Sequence, residues 1–180
     1  MKLIEKVNLN EGIILTGDFK CISENGWFSD LYSNSNGLAV KIPLRDSIKG
    51  QTEGKMYKEC ILQKEIFNKG YPVPEPIGVT EAFPDEDFYS KFGRCWVRRN
   101  YRLNESFVME EIIGHDLSFR GYFQSHIESM MEEAQDLIKS IRKNVGLAPA
   151  PLYGLKKVNI MWDEKNDRVV LVDFGNWVRV

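Results

Sequence analysis

The sequence predicts an α+β protein in two parts, a strand-rich first part with one helix and a second part with a long helix and a terminal hairpin. Three observations predict it. Short apolar runs separated by turn residues fill the first third. Apolar residues fall at helical spacing over Gly54 to Lys69 and again over Ser118 to Lys143. After that the pattern returns to two alternating runs around a polar turn. The division is placed at 1–111 and 112–180, with a hinge near Glu110 to Gly114.

The elements follow in order. Ile13, Ile14 and Leu15 make a strand core that ends at Thr16, Gly17 and Asp18. Phe19 to Ile22 and Phe28 to Tyr32 flank the polar turn Ser23, Glu24, Asn25, Gly26. Ser33 to Gly37 is a hairpin signal, with Asn36-Gly37 suited to positive φ, and Gly37 to Ile42 is the next strand. The helix over Gly54 to Lys69 carries Met56, Cys60, Leu62, Ile66 and Phe67 on its apolar positions. Gly70 stops it, and Pro72, Pro74 and Pro76 force an extended segment. Trp96-Val97 and Phe107 to Met109 read as further strands of the same sheet. In the long helix, Ile127, Met130, Met131, Ala134, Leu137, Ile138 and Ile141 step by three or four, a stripe that reads as core. Val158 to Trp162 and Val169 to Val172 are strands around the turn Asp163 to Asp167, and Trp177 with the terminal valines reads as packing back on the core.

Composition bounds the function. With 43% hydrophobic and 28% charged residues among 180, the chain can build a core and stay soluble. A net charge of -2 gives no global reason to expect nucleic acid or an anionic membrane as partner. The basic run Arg94, Arg98, Arg99 and Arg102 reads as a solvated edge strand guarded by charge rather than as a docking edge for RNA or an acidic protein. Three widely spaced cysteines (Cys21, Cys60, Cys95) fit neither a disulfide framework nor a zinc site and point to a reducing compartment. His115 and His126 are too far apart to suggest a metal site. The start, MKLIEKVNLNEG, has no signal-peptide pattern and no apolar run approaches membrane-spanning length, so a cytoplasmic location is expected.

Four features in a fixed order concern phosphate and metal chemistry. Lys41 ends a strand, and Glu59 lies on the following helix. Leu155 to Asn159 enters the terminal hairpin, and Asp173-Phe174-Gly175 leaves it. A nucleoside triphosphate needs a lysine on its phosphates, a carboxylate to hold that lysine, and oxygen ligands for Mg²⁺. Lys41 and Glu59 supply the first two; Asn159 and Asp173 supply the third. Singly, each has a plain reading as a solvated charge pair or a turn residue. Their joint order outweighs those readings.

Taken together, the set resembles the protein-kinase-like superfamily over most of the chain. Ala39-Val40-Lys41-Ile42 resembles the strand that carries the ATP lysine, and Glu59 stands where its partner glutamate falls. The stretch from Lys58 through Gly70 to Ile77, with its spaced prolines, looks like RIO-type and aminoglycoside-phosphotransferase-type kinases. Phe107 to Gly114 resembles the hinge that reads adenine through backbone groups. Leu155 to Ile160 is similar to the catalytic loop, and Asp173-Phe174-Gly175 matches the metal-binding triplet. The resemblance implies a two-lobed protein-kinase-like fold with a reduced C-terminal lobe, and ATP and Mg²⁺ as cofactors. It implies nucleotide contacts from Gly26, Lys41, Glu59, Glu110 and Ile112, metal ligation by Asn159 and Asp173, and a γ-phosphate contact from Lys156.

The pattern breaks in three places. Gly154 stands where the loop aspartate is expected and Leu152 where the loop histidine is. A glycine can neither accept a proton nor orient a hydroxyl, and a positioned general base is worth about 10²–10⁴ in rate. The phosphate-covering turn keeps only Gly26. Five residues follow Gly175, so no activation segment or substrate-binding subdomain is expected. The reading is a pseudokinase that binds Mg-ATP and regulates through a protein partner. The alternatives are a minimal active protein or small-molecule kinase, with Asp163 or Asp116 replacing the missing base, and a scaffold that takes no nucleotide.

Overall fold

The structure, a computed structural model, describes residues 9–23, 28–34, 36–47, 50–51, 53–151 and 156–180. The chain divides into two compact units, Met1–Cys60 with Pro76–Glu111 and Ile61–Glu75 with Ile112–Val180.

The first unit contains β1 (Ile13–Leu15), β2 (Lys20–Ser23), β3 (Ser29–Ser33), β4 (Leu38–Pro43), β5 (Asp46–Ser47) and β6 (Gly50–Gln51). It continues with the start of α1 (Lys55–Phe67), then β7 (Pro76–Thr80), β8 (Ala82–Pro84), α2 (Glu86–Arg99) and β9 (Ser106–Glu110). An antiparallel five-stranded sheet runs in the order β2-β3-β4-β9-β7, and β1 pairs in parallel with β8. Gly37, at φ 81°, makes the predicted reversal between β3 and β4, where a left-handed residue closes the turn.

The sheet has two buried faces. Leu38, Val40, Ile42 and Val108 pack with Leu15, Tyr32 and Phe88 on one. Ala39, Phe107 and Met109 pack with Met56 on the other. Because side chains alternate along a strand, Lys41 shares the face of Ala39, which is the face that α1 covers.

The run Arg94 to Arg102, expected as an edge strand with Trp96-Val97 in it, is instead the end of α2 and the turn after it. The helix starts where Asp85 accepts the Phe88 N–H at 2.7 Å, with Glu86 and Asp87 in its first turn. It ends at Asn100, left-handed at φ 48°. Phe88, Phe92 and Trp96 recur every fourth residue, a helical spacing that the arginines on either side of Trp96 obscure. Phe88 and Phe92 sit with ring centroids 5.4 and 5.5 Å from Tyr32.

The second unit contains β10 (Gly114–Asp116), α3 (Gln124–Val145), β11 (Leu147–Pro149), β12 (Ile160–Asp163), β13 (Arg168–Leu171) and β14 (Trp177–Arg179). The strands pair as β10-β12-β13 and β11-β14. Met130, Ala134 and Ile141 of α3 are buried with Ile160, Val169, Leu171, Phe174 and Trp177. Leu62, Ile66 and Val73 join the same core, so Ile61–Glu75 groups with this unit and not with residues 1–111 as the sequence division had it. Trp177 is 4% exposed and packs on Phe174 at 4.9 Å between centroids, as the apolar C-terminal run suggested. The helix α3 starts at Gln124 rather than at Ser118, because Asp116 takes the Ser118 N–H into a turn.

Candidate functional site

In the first unit the central feature is an ion pair. The Lys41 ammonium donates to both carboxylate oxygens of Glu59, at 2.8 and 3.0 Å. The strand alternation that keeps Val40 and Ile42 on the opposite face aims Lys41 toward α1, and Met56 and Cys60 set the helix face that presents Glu59. The side chains are 14% and 1% exposed, so the pair lies largely out of water. A carboxylate held there depends on its cation.

A further lysine accompanies the pair. Lys55 lies one turn before Glu59 on α1, and its ammonium sits 3.3 Å above the Phe28 ring. Desolvation, and next the charge of Lys58, lower its pKa. Phe28 follows the segment in which the sequence places a turn at Gly26; Gly26 itself lies outside the described residues. The Phe28 carbonyl accepts the N–H of Leu44, the residue after β4, at 2.9 Å.

Glu110 ends β9 opposite Leu38, and the Glu111 N–H donates to the Gly37 carbonyl at 2.8 Å. Ile112 is half-buried, and its N–H and C=O make no hydrogen bond among the described residues.

In the second unit, Asn159 closes a short 3₁₀ turn, Lys157–Asn159, that leads into β12. Its carbonyl accepts the Val172 N–H at 3.0 Å, one step beyond the Ile160 and Leu171 pairing, so Asn159 and the residue before Asp173 are ladder neighbours. The Leu117 N–H pins the turn by donating to the Lys157 and Ile160 carbonyls at 3.2 and 3.1 Å. Asn159 is half-buried, and its carboxamide has no hydrogen-bond partner among the described residues. Asp173 is left-handed at φ 63°, ψ 75°, which is unusual for a residue with a side chain and costs about 1 kcal/mol. Phe174, fully buried beside it, holds that backbone in place. An amide oxygen and a carboxylate are hard-oxygen donors of the kind that Mg²⁺ takes. Lys156 is exposed just before the turn.

Gly154 and Leu152 fall outside the described residues. The two carboxylates named as replacement bases are both occupied. Asp163 is 2% exposed and accepts from the Lys165 and Asn166 N–H groups at 3.2 and 3.3 Å and from Asn166 Nδ2 at 2.6 Å, with Arg168 Nε at 3.5 Å. It builds the turn between β12 and β13. Asp116 accepts from the Ser118 N–H at 2.7 Å and from the Ser118 hydroxyl. Among the described residues no three His, Cys, Asp or Glu side chains converge as a metal cluster, and no helix is long and apolar enough to cross a membrane.

No family model matches the sequence, and no curated protein matches it. Among solved structures, the crystal structure of the Rio2 kinase–ADP/Mg²⁺–phosphoaspartate complex from Chaetomium thermophilum aligns with 89% of this chain at a TM-score of 0.53. The fold is protein-kinase-like. At 16% identity the likeness concerns the fold alone, and this chain spans about half, 48%, of the Rio2 kinase chain. Within this kinase-like fold, Lys41 and Glu59 belong to the first unit and Lys156, Asn159 and Asp173 to the second. Sequence reasoning passed over Lys55 and Glu105. Lys55 was detectable from its place four residues before Glu59, on the same helix face; Glu105 carried no local signal.

Proposed function

We propose that the chain is a kinase-like module that binds Mg-ATP and acts as a pseudokinase, regulating a protein partner in the cytoplasm. The observation that carries this reading is the buried, two-oxygen pairing of Lys41 with Glu59. Holding an ammonium at that position against the cost of desolvation makes sense where an anion is to be received. Lys41 would meet the nucleotide phosphates, and Lys156 the terminal one. The backbone N–H and C=O of Ile112, two residues after Glu110 and without a hydrogen bond among the described residues, would offer a donor and an acceptor to a flat base. Gly26 would allow close approach of the covering turn. Asn159 and Asp173 would hold Mg²⁺, which supplies charge neutralisation to the phosphates. Gly154 offers no proton acceptor for a substrate hydroxyl. A net charge of -2 favours a protein over nucleic acid or an anionic membrane as partner.

Thermal unfolding with and without nucleotide tests the reading. ATP at ten times its dissociation constant stabilises by about 1.4 kcal/mol, a shift of several degrees for a domain of this size. The shift is expected only with Mg²⁺ and is expected to vanish in Asp173→Ala. No shift at millimolar ATP and Mg²⁺ overturns the proposal.

A second reading, a minimal phosphotransferase, is favoured by one observation: the Rio2 kinase structure is described as a phosphoaspartate complex. A carboxylate accepts a phosphoryl group without giving up a proton, so transfer to it needs no general base. The bond from the γ-phosphorus to the bridging oxygen breaks, ADP leaves, and an acyl phosphate forms. Label from γ-labelled ATP that stays on the protein, is released by hydroxylamine and is lost in Lys41→Ala supports this reading; absence of label rejects it.

A further inference from the structure

The helix that carries Glu59 is fastened from outside itself. The chain enters α1 at Gly54, whose carbonyl accepts the Lys58 N–H at 3.0 Å, the first intrahelical bond. No acidic residue occupies the first turn. Lys55 and Lys58 stand there instead and oppose the positive end of the helix dipole. In a capping box, the side chain at the third helical position reaches back to the N–H of the capping residue. That position holds Tyr57, which is exposed, and it makes no such bond.

The Gly54 N–H goes instead to Glu105 Oε2 at 2.9 Å, across 51 residues of sequence. Glu105 is 7% exposed and ends the 3₁₀ turn Leu103–Glu105 just before β9. Arg102 lies 3.9 Å from the Glu105 carboxylate and 3.8 Å from that of Glu53, the residue before Gly54. The segment is itself bound to the end of β4. The Arg45 N–H donates to Asn100 and the Arg102 N–H to Pro43, both at 2.8 Å, and Tyr101 bridges to Leu44. The end of the strand that bears Lys41 and the start of the helix that bears Glu59 are therefore tied to one short segment.

We infer that Glu105 is a positioning residue for the Lys41–Glu59 pair, acting through the Gly54 N–H to hold the start of α1. Glu59 lies five positions beyond Gly54, a rise of about 7.5 Å, so a helix start released from Glu105 lets the Glu59 carboxylate drift from Lys41. The consequence for ATP rests on the proposed nucleotide reading; the fastening itself does not.

Two measurements without nucleotide decide it. The first is acylation of Lys41 by an amine-reactive ester, mapped by mass spectrometry and referred to the exposed Lys69. In Glu105→Leu, labelling of Lys41 is expected to rise about fivefold, the factor that a lost cap bond corresponds to, towards the level of Glu59→Gln. Glu105→Gln keeps an acceptor oxygen for Gly54 and is expected to restore protection. Wild-type labelling in a folded Glu105→Leu overturns the inference, as does exposure in Glu105→Gln equal to that in Glu105→Leu. The second needs no variant: the Gly54 amide of the wild-type chain should exchange with deuterium far more slowly than an exposed turn amide, and fast exchange removes the bond and the inference with it. With nucleotide, Mg-ATP affinity should fall by a similar factor in Glu105→Leu and recover in Glu105→Gln. If the wild-type chain binds no nucleotide, the functional proposal fails alone, and labelling and exchange still judge the role of Glu105.

Discussion

Replacing Lys41 by methionine leaves the Glu59 carboxylate, 1% exposed, without its ammonium. Removing one member of a buried ion pair costs about 3–5 kcal/mol, because the stranded charge loses both water and partner. Lys41 retains 14% exposure and Glu59 has further interactions, which places the cost near the low end, about 3 kcal/mol. Glu59→Gln is milder. Its carbonyl oxygen still accepts from the ammonium, and about 1.5 kcal/mol is expected for a weakened charged hydrogen bond. The double variant strands no charge, so methionine beside a neutral amide should cost about 2 kcal/mol in total. The two changes together then cost about 2.5 kcal/mol less than the sum of the separate costs, a coupling typical of contacting residues. Urea unfolding of the four proteins without nucleotide gives all the terms. Additivity within about 0.5 kcal/mol would mean that the two groups do not interact and would refute the reasoning.

Two further outcomes follow from the packing. Tyr101 donates its hydroxyl to Asp30 and lies 3.1 Å from the Tyr32 hydroxyl; burial first, and then these bonds, push its phenol far above the usual range. Above about pH 10 the unfolded chain loses this proton while the folded one keeps it, so stability falls by about 1.4 kcal/mol per pH unit for this phenol. In Tyr101→Phe that part of the alkaline slope should disappear from urea unfolding run between pH 8 and 11; an unchanged slope counts against the buried phenol. Gly114 stands at φ 159°, and an added Cβ would meet the Trp162 carbonyl oxygen at 1.8 Å. Gly114→Ala should therefore force β10 from β12 and cost about 2–4 kcal/mol by thermal unfolding, and a loss under about 0.5 kcal/mol contradicts the pairing.

What the sequence made legible was whatever depends on neighbours in the chain. The helices α1 and α3 and the β12–β13 hairpin stand near their expected places because their apolar residues keep one period throughout. Lys41 and Glu59 were legible as partners from the chemistry of a triphosphate and from the resemblance; the structure adds the geometric reason, because a strand that buries Val40 and Ile42 on one face turns Lys41 to the other. The helix α2 was misread because Arg94, Arg98 and Arg99, on either side of Trp96, imitate the alternation of a strand. The deciding signal was the capping aspartate with two acids after it, Asp85-Glu86-Asp87, set immediately before a helical aromatic repeat that starts at Phe88. The link from Glu105 to Gly54 spans 51 residues and leaves no periodic trace. Nothing in either segment marks the other as its partner.

The fate of the two spare carboxylates bears on the choice between binding and transfer. Asp163 and Asp116 were the residues available to replace the base that Gly154 cannot provide, and both are used to shape turns: Asp163 by three hydrogen bonds within its hairpin, Asp116 by two to Ser118. Moving either to a proton-accepting role would break the turn that it builds. Phosphoryl transfer, however, rests mostly on positioning and charge stabilisation. The missing base is decisive only for an acceptor that must lose a proton. On the proposed reading, this set of residues would serve poorly to phosphorylate a hydroxyl, while Lys41, Glu59, Asn159 and Asp173 are the groups that would hold a nucleotide. Any transfer that it performs should run to an oxygen already ionised, so the two readings differ in one measurable product, an acyl phosphate.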